Sequence, residues 1–307
     1  MVRMSTAYFD RIDLPSQENR AREVQSLLTR VAETDGVEPL SESFVGGVTD
    51  ARLGHRHLVV LIDDRVVAVA AAAGGDAELC VDPDFRRRGI ARELVLRLRD
   101  EQDSVGIWAH GNLPPARGLA AAMGLSKKRR LLVMAVAGAD LSGADARVPE
   151  GYEVLSVAES SDRWGRDVVE QAWLDANNDA FSWHPEQGGW DLDRLHRAQE
   201  AQWYSDEDVL LLWHRGSEGE NDPDLAGFHW TKWQSADHRH GEVYVVGLAG
   251  GYRGRGLGRV VVSMGLAHLV SGGAREVILY VEDDNAAAVR QYEKLGFTVA
   301  EEHVVYG

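Results

Sequence analysis

The chain has 307 residues, of which 44% are hydrophobic and 27% are charged, and its formal net charge is −16. This composition is typical of a folded, water-soluble protein, and no apolar run approaches the roughly 20 residues that cross a bilayer. The negative charge argues against a nucleic-acid or membrane partner, and it suits a cationic or amine-bearing one. Residues 1–20 show neither a secretory signal nor a lipidation motif, so a cytoplasmic location is predicted.

The first half is predicted to run from a helix through several strands into an Arg- and Gly-containing loop, then through a second helix to a strand, a helix and a turn. The elements are a helix over residues 16–32, strands over 57–62 and 66–72, a strand and loop from 78 to 89, a helix over 89–99 and a segment from 108 to 125.

The same order recurs in the second half, and at one offset of 167 Arg86 matches Arg253 and Gly89 matches Gly256. The elements are a helix over 163–177, strands over 209–214 and 226–233, a strand and loop from 243 to 258, a helix to about 270 and a segment from 279 to 297, with a solvated charged loop over 216–224. Two homologous α/β units with mixed sheets are therefore predicted.

A stretch rich in small and turn-forming residues, from Gly138 to Gly151, separates the two halves. The predicted domains are accordingly residues 1–145 and 146–307. Eight of the nine tryptophans follow residue 160, which indicates either a tryptophan-rich core or a ligand cavity in the second domain.

The cysteine and histidine residues argue against a metal site. Cys80 is the single cysteine, so neither an intrachain disulfide nor a cysteine cluster is possible, and a small buried strand residue is expected. The pairs His55/His57 and His238/His240 could face one way along a strand, but neighbouring ligands are missing. Exposed loop histidines and no metal are predicted.

The most informative motif is the glycine-rich segment from Arg253 to Gly258, which fits Arg/Gln-x-x-Gly-x-Gly/Ala between a strand and a helix. Small residues let backbone N–H groups approach a phosphate, and the following helix start adds a favourable dipole. Arg253, Arg255 and Arg259 can add charge. The spacing differs from the dinucleotide fingerprint and the P-loop, so the motif alone predicts only a phosphate site.

The segment from Tyr280 to Phe297 supplies the second half of a larger pattern, because Asn285 opens a helix that contains Tyr292 and closes in a Gly-Phe turn. Together the two segments resemble the GNAT family of acetyltransferases. This resemblance covers both halves and implies two tandem GNAT folds, α/β with mixed sheets, that use acetyl-CoA.

A closer resemblance, to the mycothiol synthase family, is carried by five segments. These are Gly227-Phe-His-Trp-Thr-Lys232, Gly241-Glu-Val-Tyr-Val-Val-Gly247, His184-Pro-Glu-Gln-Gly-Gly-Trp190, Trp108-Ala-His-Gly111 and Leu279-Tyr-Val-Glu282. That family acetylates the cysteinyl amine of the cysteinyl-glucosaminyl-inositol precursor in actinobacteria. The resemblance implies the same small-molecule amine substrate here, and a monomer is expected.

Site residues follow from the resemblance, which implies a base at Glu242 and an acid at Tyr292. Substrate contacts would fall on Glu42, Glu186, Lys232, Glu242 and Tyr280. Acetyl-CoA would lie along Val246, Gly247, Leu248, Arg253, Gly254, Arg255, Gly256, Leu257, Gly258, Arg259, Asn285, Ala286, Ala287, Ala288, Val289 and Arg290, with a second cradle in the first half at Val81, Arg86, Gly89, Ile90 and Ala91.

The residue chemistry agrees with the implied base. An α-amino group has a reference pKa near ~8, so it must lose a proton before it attacks a thioester, and a carboxylate can accept that proton. Strand alternation places Glu242 on the same face as Tyr244, and a strand amide near Val246 would polarise the thioester carbonyl. An edge-strand salt bridge at Glu242 and simple packing of Tyr292 are the structural alternatives.

The first half departs from this pattern. Gly75 takes the place of Glu242, and aligning Gly124 with Gly296 puts Ala120 at the place of Tyr292, so that half is predicted to keep a phosphate cradle without base or acid. The turn at Ala249-Gly-Gly251 replaces the Asp-Pro turn seen at Asp82-Pro83, and its extra backbone freedom could loosen cofactor binding.

Two other functions stay open at this point. A tandem GNAT enzyme could act on another small amine, such as an aminoglycoside or a polyamine. A protein of this kind could also bind acyl-CoA as a sensor without catalysis.

Overall fold

The computed structural model describes residues 7–143, 147–182, 187–215 and 224–307. The chain forms two compact units. Unit 1 comprises Met1–Leu132, Glu282–Asp284 and Glu301–Gly307, and unit 2 comprises Val133–Val281 and Asn285–Ala300. A single cut near residue 145 does not separate these units, because residues 133–143 belong to unit 2 and residues 301–307 belong to unit 1.

Unit 1 is a mixed sheet with helices. Its strands are β1 (Tyr8–Ile12), β2 (Arg56–Ile62), β3 (Arg65–Ala73), β4 (Asp76–Val81) and β5 (Gly106–Ala109), and its helices are α1 (Glu18–Asp35), α2 (Glu42–Gly46), α3 (Ile90–Glu101) and α4 (Pro114–Met123). Strands β1 to β4 form antiparallel neighbours, β4 and β5 are parallel, and residues 304–306 pair antiparallel with β5.

The central strand of unit 1, β3, is apolar along almost its whole length and is buried on both faces. One face packs in a cluster with the apolar stripe of α1, which includes Val24 and Leu27. The other face packs with Leu94 and Leu98 of α3. This two-sided burial explains why β3 lacks the polar alternation of a half-exposed strand.

Two strands contain residues of both units: β6 (Lys127–Ala137) and β12 (Thr298–Tyr306). The other elements of unit 2 are the strands β7 (Tyr152–Ser156), β8 (Val209–His214), β9 (Asp224–Trp233), β10 (His240–Leu248) and β11 (Glu276–Glu282), with the helices α5 (Val157–Trp164), α6 (Arg166–Ala180), α7 (Leu192–Gln199), α8 (Gly258–Ser271) and α9 (Ala286–Glu293). Within the unit the strand order is β11-β10-β9-β8-β7, and of these four described pairs β10–β11 is parallel and the other three are antiparallel.

Aromatic side chains fill the centre of unit 2. Trp173, Trp213, Trp230 and Phe228 are fully buried in one cluster. For these residues the structure supports the tryptophan-rich core rather than a ligand cavity.

Most predicted elements lie within a few residues of the observed ones, but the helix predicted over 163–177 is wrong in its start. The chain forms two helices there, interrupted at Gly165, whose φ is +88°. The predicted loop at 216–223 lies outside the described residues, as do residues 144–146 of the linker. Within the described ranges, no helix is both long and apolar enough to cross a membrane.

Candidate active site

The sheet of unit 2 opens between its two parallel strands. The β10–β11 ladder ends at the pair Val243 and Leu279, although β10 continues to Leu248 and β11 to Glu282. The two strands therefore separate toward their carboxyl ends. Backbone groups along the separated edges can bond an extended ligand instead of a neighbouring strand.

A β-bulge lies where the strands separate. The register of β10 with β9 shifts between Val243 and Val245, so that Tyr244 is an extra residue in β10. A bulge bends its strand and redirects the side chains next to it, which is why bulges are frequent beside active sites.

The loop that follows β10 has the backbone of an anion site. Gly254 and Gly256 have φ values of +76° and +80°, a region that side chains other than glycine seldom adopt. The helix α8 then begins at Gly258, and Leu257 at its N-cap makes no side-chain capping bond. The first N–H groups of α8 thus have no intrahelical partner, and they suit a phosphate.

The three arginines of this loop differ in their surroundings. The guanidinium of Arg253 donates to the backbone oxygen of Leu248 at 3.3 Å and to that of Asp179 at 2.5 Å. Arg255 lies over the ring of Tyr252, 4.8 Å from its centre. Arg259 is exposed. The charge of Arg253 is therefore partly engaged by the protein itself.

The other predicted cofactor residues of unit 2 lie on the separated end of β10 and at the start of α9. On β10, a side chain at Gly247 would meet Ala180 and Phe228 at 2.9 Å, so helix α6 and strand β9 approach this point closely. On α9, the side chain of Asn285 accepts a hydrogen bond from the backbone N–H of Ala288 at 3.2 Å and caps the helix.

The predicted base, Glu242, is a buried carboxylate on β10, with 5% of its surface exposed. It lies directly across from Lys232 of β9, and the amide of Gln234 donates to its Oε2. Lys232 Nζ lies 4.5 Å from the centre of a Trp203 ring and 5.3 Å from that of Tyr244. The carboxylate, the ammonium group and the Tyr244 ring therefore share one face of the sheet, as strand alternation predicts.

The predicted acid, Tyr292, lies in α9 with its ring 5.8 Å from that of Phe297. Burial raises the pKa of the Tyr292 phenol to about 12. Within the described ranges no hydrogen bond to its hydroxyl is found. The phenol therefore stays protonated at neutral pH and keeps its O–H as a donor.

The remaining predicted substrate residues are dispersed. Tyr280 lies on β11 with 45% of its surface exposed. Glu42 begins α2 in unit 1. Glu186 lies outside the described residues. Their roles stay predictions.

Unit 1 repeats the loop geometry. Arg87 and Gly89 have φ values of +62° and +83°, which match those of Gly254 and Gly256 at the predicted offset. Helix α3 starts directly afterwards, at Ile90, and Ala91 follows in its first turn. Beyond Ala77, β4 also continues past its described pairing with β5.

The predicted match of Gly75 to Glu242 is wrong by one residue. The β3–β4 ladder runs without a shift from Ala73–Asp76 to Ala68–Val81, whereas the bulge adds one residue to β10. Counted back from the strand ends, the residue in the place of Glu242 is Asp76. A constant sequence offset could not show this, because a bulge changes the register without breaking the strand.

The Asp76 carboxylate of unit 1 interacts with neighbouring side chains. Trp108 Nε1 donates to Asp76 at 3.2 Å, and the Arg129 guanidinium lies 3.9 Å from the same oxygen. The match of Ala120 to Tyr292 agrees with the turn geometry, because each accepts the backbone N–H five residues later, at 2.9 and 3.1 Å. Unit 1 thus has no phenol at this place.

The histidines and the cysteine have ordinary structural roles. His57 is buried, and burial lowers its pKa to about 4, so the expectation of an exposed loop histidine is wrong there. His238 stacks on Trp233. Cys80 is buried as predicted, which raises its pKa to about 12. In the part of the chain that the structure describes, no three His, Cys, Asp or Glu residues are grouped as a metal site requires.

Comparison with known proteins agrees with this geometry. The model of the acetyltransferase (GNAT) family matches residues 171–297, and that of an acetyltransferase (GNAT) domain matches residues 54–124. A tandem GNAT protein from the clavulanic acid biosynthesis pathway has the same fold, with a TM-score of 0.69 at 18% identity over 98% of both chains. A GCN5-related N-acetyltransferase from Sphaerobacter thermophilus gives a TM-score of 0.60 at 21% identity, over 98% of this chain and 94% of that one.

Proteins with similar sequences identify the family within the GNAT acetyltransferases. The mycothiol acetyltransferase of Corynebacterium aurimucosum is 50% identical over 95% of this chain and 96% of its own, and that of Corynebacterium efficiens is 52% identical over 91% and 90%. GNAT acetyltransferases use acetyl-CoA as their cosubstrate. With two GNAT domains and this degree of identity over nearly its whole length, the chain belongs to the mycothiol acetyltransferase family.

Proposed function

We propose that this protein transfers the acetyl group of acetyl-CoA to the cysteinyl amine of desacetylmycothiol, the last step of mycothiol biosynthesis. Family membership over nearly the whole chain supports the substrate. The observation that carries the chemistry is that unit 2 combines an open glycine loop with a buried carboxylate, Glu242, and a protonated phenol, Tyr292.

The residues of unit 2 fit acetyl-CoA. The left-handed glycines 254 and 256 leave open space where a side chain would stand, and the uncapped start of α8 offers amides to the diphosphate. The separated end of β10, at residues 246–248, offers backbone groups to an extended arm. When bound, acetyl-CoA supplies an acetyl thioester.

Glu242 is proposed to take the proton from the attacking amine. With a reference pKa near ~8, that amine is mostly protonated at neutral pH and cannot attack in that form. A general base within reach contributes about 10²–10⁴-fold to the rate. The Gln234 amide fixes one carboxylate oxygen, which reduces the freedom that Glu242 would lose on substrate binding.

Tyr292 is proposed to stabilise the departing sulfur. A thiol has a pKa of about 8.5, far below that of this phenol, so the hydroxyl donates a hydrogen bond and keeps its proton for most of the reaction. The absence of another bond to this hydroxyl within the described ranges leaves its donor available.

Unit 1 is proposed to hold a cradle without catalysis. Asp76, the carboxylate at the place of Glu242, accepts a hydrogen bond from Trp108 and forms an ion pair with Arg129. Ala120 stands where unit 2 has the phenol. Glu42 of this unit, together with Glu186, Lys232 and Tyr280, is proposed to contact the substrate. The protein is proposed to act as a cytoplasmic monomer.

The test is to incubate the protein with acetyl-CoA and a panel of amines, and to measure acetylated products by mass and released CoA by a thiol assay. The panel includes desacetylmycothiol, an aminoglycoside and a polyamine. Acetylation of desacetylmycothiol with the highest kcat/KM is expected. Preference for an amine without a cysteinyl group would overturn the substrate, and binding of acetyl-CoA without turnover of any amine would favour the sensor.

Glu242→Gln tests the base. It keeps the volume of the side chain but cannot accept a proton, so the rate should fall by about 10²-fold or more at neutral pH and recover as pH rises above the pKa of the amine. Asp76→Asn in unit 1 is the matched control, and it should leave the pH–rate profile unchanged. An unchanged profile in Glu242→Gln would remove this residue from the reaction.

A further inference from the structure

The phosphate loop of unit 2 is tied to the end of a helix that precedes it by about 70 residues. Asp179 lies in the last turn of α6, and its carboxylate accepts a hydrogen bond from the backbone N–H of Gly250. Its backbone oxygen accepts from Arg253 at 2.5 Å, and its carboxylate lies 3.6 Å from the same guanidinium. Arg253 also donates to the oxygen of Leu248. One residue thus contacts both the turn and the first residue of the phosphate motif.

Unit 1 contains the same kind of contact. Asp35, the last residue of α1, accepts two hydrogen bonds from Arg86, at 2.8 and 2.7 Å, and Arg86 Nε donates to the oxygen of Val81 at 3.0 Å. Arg86 and Arg253 begin the two phosphate motifs. In both units this arginine therefore joins the end of a strand to an aspartate at the end of a helix.

The turn between strand and motif is capped differently in the two units. In unit 1 the side chain of Asp82 accepts from the backbone N–H of Asp84 at 3.1 Å. In unit 2 the corresponding residue is Ala249, which makes no capping bond, and the carboxylate of Asp179 accepts from Gly250 instead. Asp179 thus contacts both the turn and the motif arginine in unit 2, whereas in unit 1 Asp82 contacts the turn and Asp35 contacts the arginine.

The position of Asp179 is unfavourable for the helix itself. The carboxyl end of a helix carries partial negative charge, so a carboxylate there is unfavourable. Both α1 and α6 lack a basic residue in the last turn. The acidic residues at these two ends therefore serve contacts outside their helices.

From these contacts we infer that Asp179 is a positioning residue for acetyl-CoA. It fixes the turn at Gly250 and, through Arg253, the start of the motif, so that the amides of residues 254–258 keep the arrangement a diphosphate requires. The inference rests on the proposed function for the identity of the ligand. It also assigns Arg253 to holding the loop, while exposed Arg255 and Arg259 are left to meet the phosphates.

The test compares Asp179→Ala with Asp179→Asn, which keeps an oxygen acceptor for Gly250 but loses the charge facing Arg253. The control is Asp175→Ala, one turn earlier on the exposed side of α6, which removes the same charge. Hydrogen exchange of the peptide that covers residues 249–258 is measured without ligand, and KM is measured separately for acetyl-CoA and for the amine.

We expect exchange of this peptide to accelerate at least tenfold in Asp179→Ala, less in Asp179→Asn and not in the control. KM for acetyl-CoA should rise about tenfold in Asp179→Ala, with KM for the amine within twofold. Arg253→Met should raise KM for acetyl-CoA further in the Asp179→Ala background, because the hydrogen bonds of Arg253 to the backbone oxygens of Asp179 and Leu248 do not depend on the Asp179 side chain.

Unchanged loop exchange in Asp179→Ala, or equal rises of both KM values, would overturn the inference. If the wild-type protein prefers another amine, the proposed substrate fails, but the exchange data and the KM split with that amine still test the role of Asp179. The two failures are therefore distinguishable.

Discussion

Replacement of Gly256 by alanine tests whether the left-handed conformation of the phosphate loop is required. A Cβ at this position would meet no atom within 4 Å, so crowding is not expected. The φ of +80° is the unfavourable feature, since a left-handed residue with a Cβ costs roughly 1–2 kcal/mol. The loop either keeps its conformation at this cost or changes it and loses the alignment of its amides.

The expected result follows from this energy. If the loop must regain its conformation to bind acetyl-CoA, 1–2 kcal/mol corresponds to a rise of about 5–30-fold in the dissociation constant. Calorimetric titration with acetyl-CoA and KM for acetyl-CoA measure this rise, and KM for the amine should be unaffected.

Gly251→Ala is the matched control, because Gly251 lies in the same loop, has open space around its Cβ position and has no left-handed φ. Its KM for acetyl-CoA should stay within twofold of the wild-type value. If Gly256→Ala behaves like Gly251→Ala, the left-handed glycine is not what the cofactor requires, and the reasoning on the loop fails.

Three further outcomes are expected. Tyr292→Phe should lower kcat about 10- to 100-fold with little change in KM. Burial raises the pKa of this phenol to about 12, so its ionisation should not reduce the rate near pH 10, and the pH–rate profiles of the wild type and of Tyr292→Phe should have the same shape up to that pH. Burial lowers the pKa of His229 from 6.5 to about 4, so between these pH values the unfolded chain binds more protons than the folded one. The free energy of unfolding should therefore fall as pH drops from 6.5 toward 4. Denaturant titrations should show a smaller fall in His229→Gln, and an equal fall would contradict this assignment. Cys80 should react with a thiol reagent only after denaturation, and rapid labelling of the native protein would contradict its burial.

Local sequence patterns determined a large part of this fold. Apolar runs and alternation predicted β2, β3, β8 and β9 to within a few residues, because these strands are buried along most of their length. Helix α7 and strand β1 were not predicted, since both are short and mostly polar or exposed. The break at Gly165 was missed because the predicted helix began at Arg163 and so left α5 unrecognised.

The motif residues were determined by sequence for a similar reason. Gly254 and Gly256 are needed by the backbone itself, so they are visible as a pattern between a strand and a helix. The offset of 167, which matched Gly89 to Gly256 in the sequence, also relates the left-handed positions of the two loops. The family resemblance then supplied roles for Glu242 and Tyr292, which no local pattern specifies.

Only the tertiary structure decided which distant side chains act on the motif. Asp179 and Asp35 lie 74 and 51 residues before their arginines, so no common spacing relates the two contacts. Likewise, because of the bulge at Tyr244, the residue of unit 1 equivalent to Glu242 is Asp76 and not Gly75. The physical reason is that sequence patterns record what each segment requires of its own backbone, whereas hydrogen bonds between segments depend on how the chain returns to the same place.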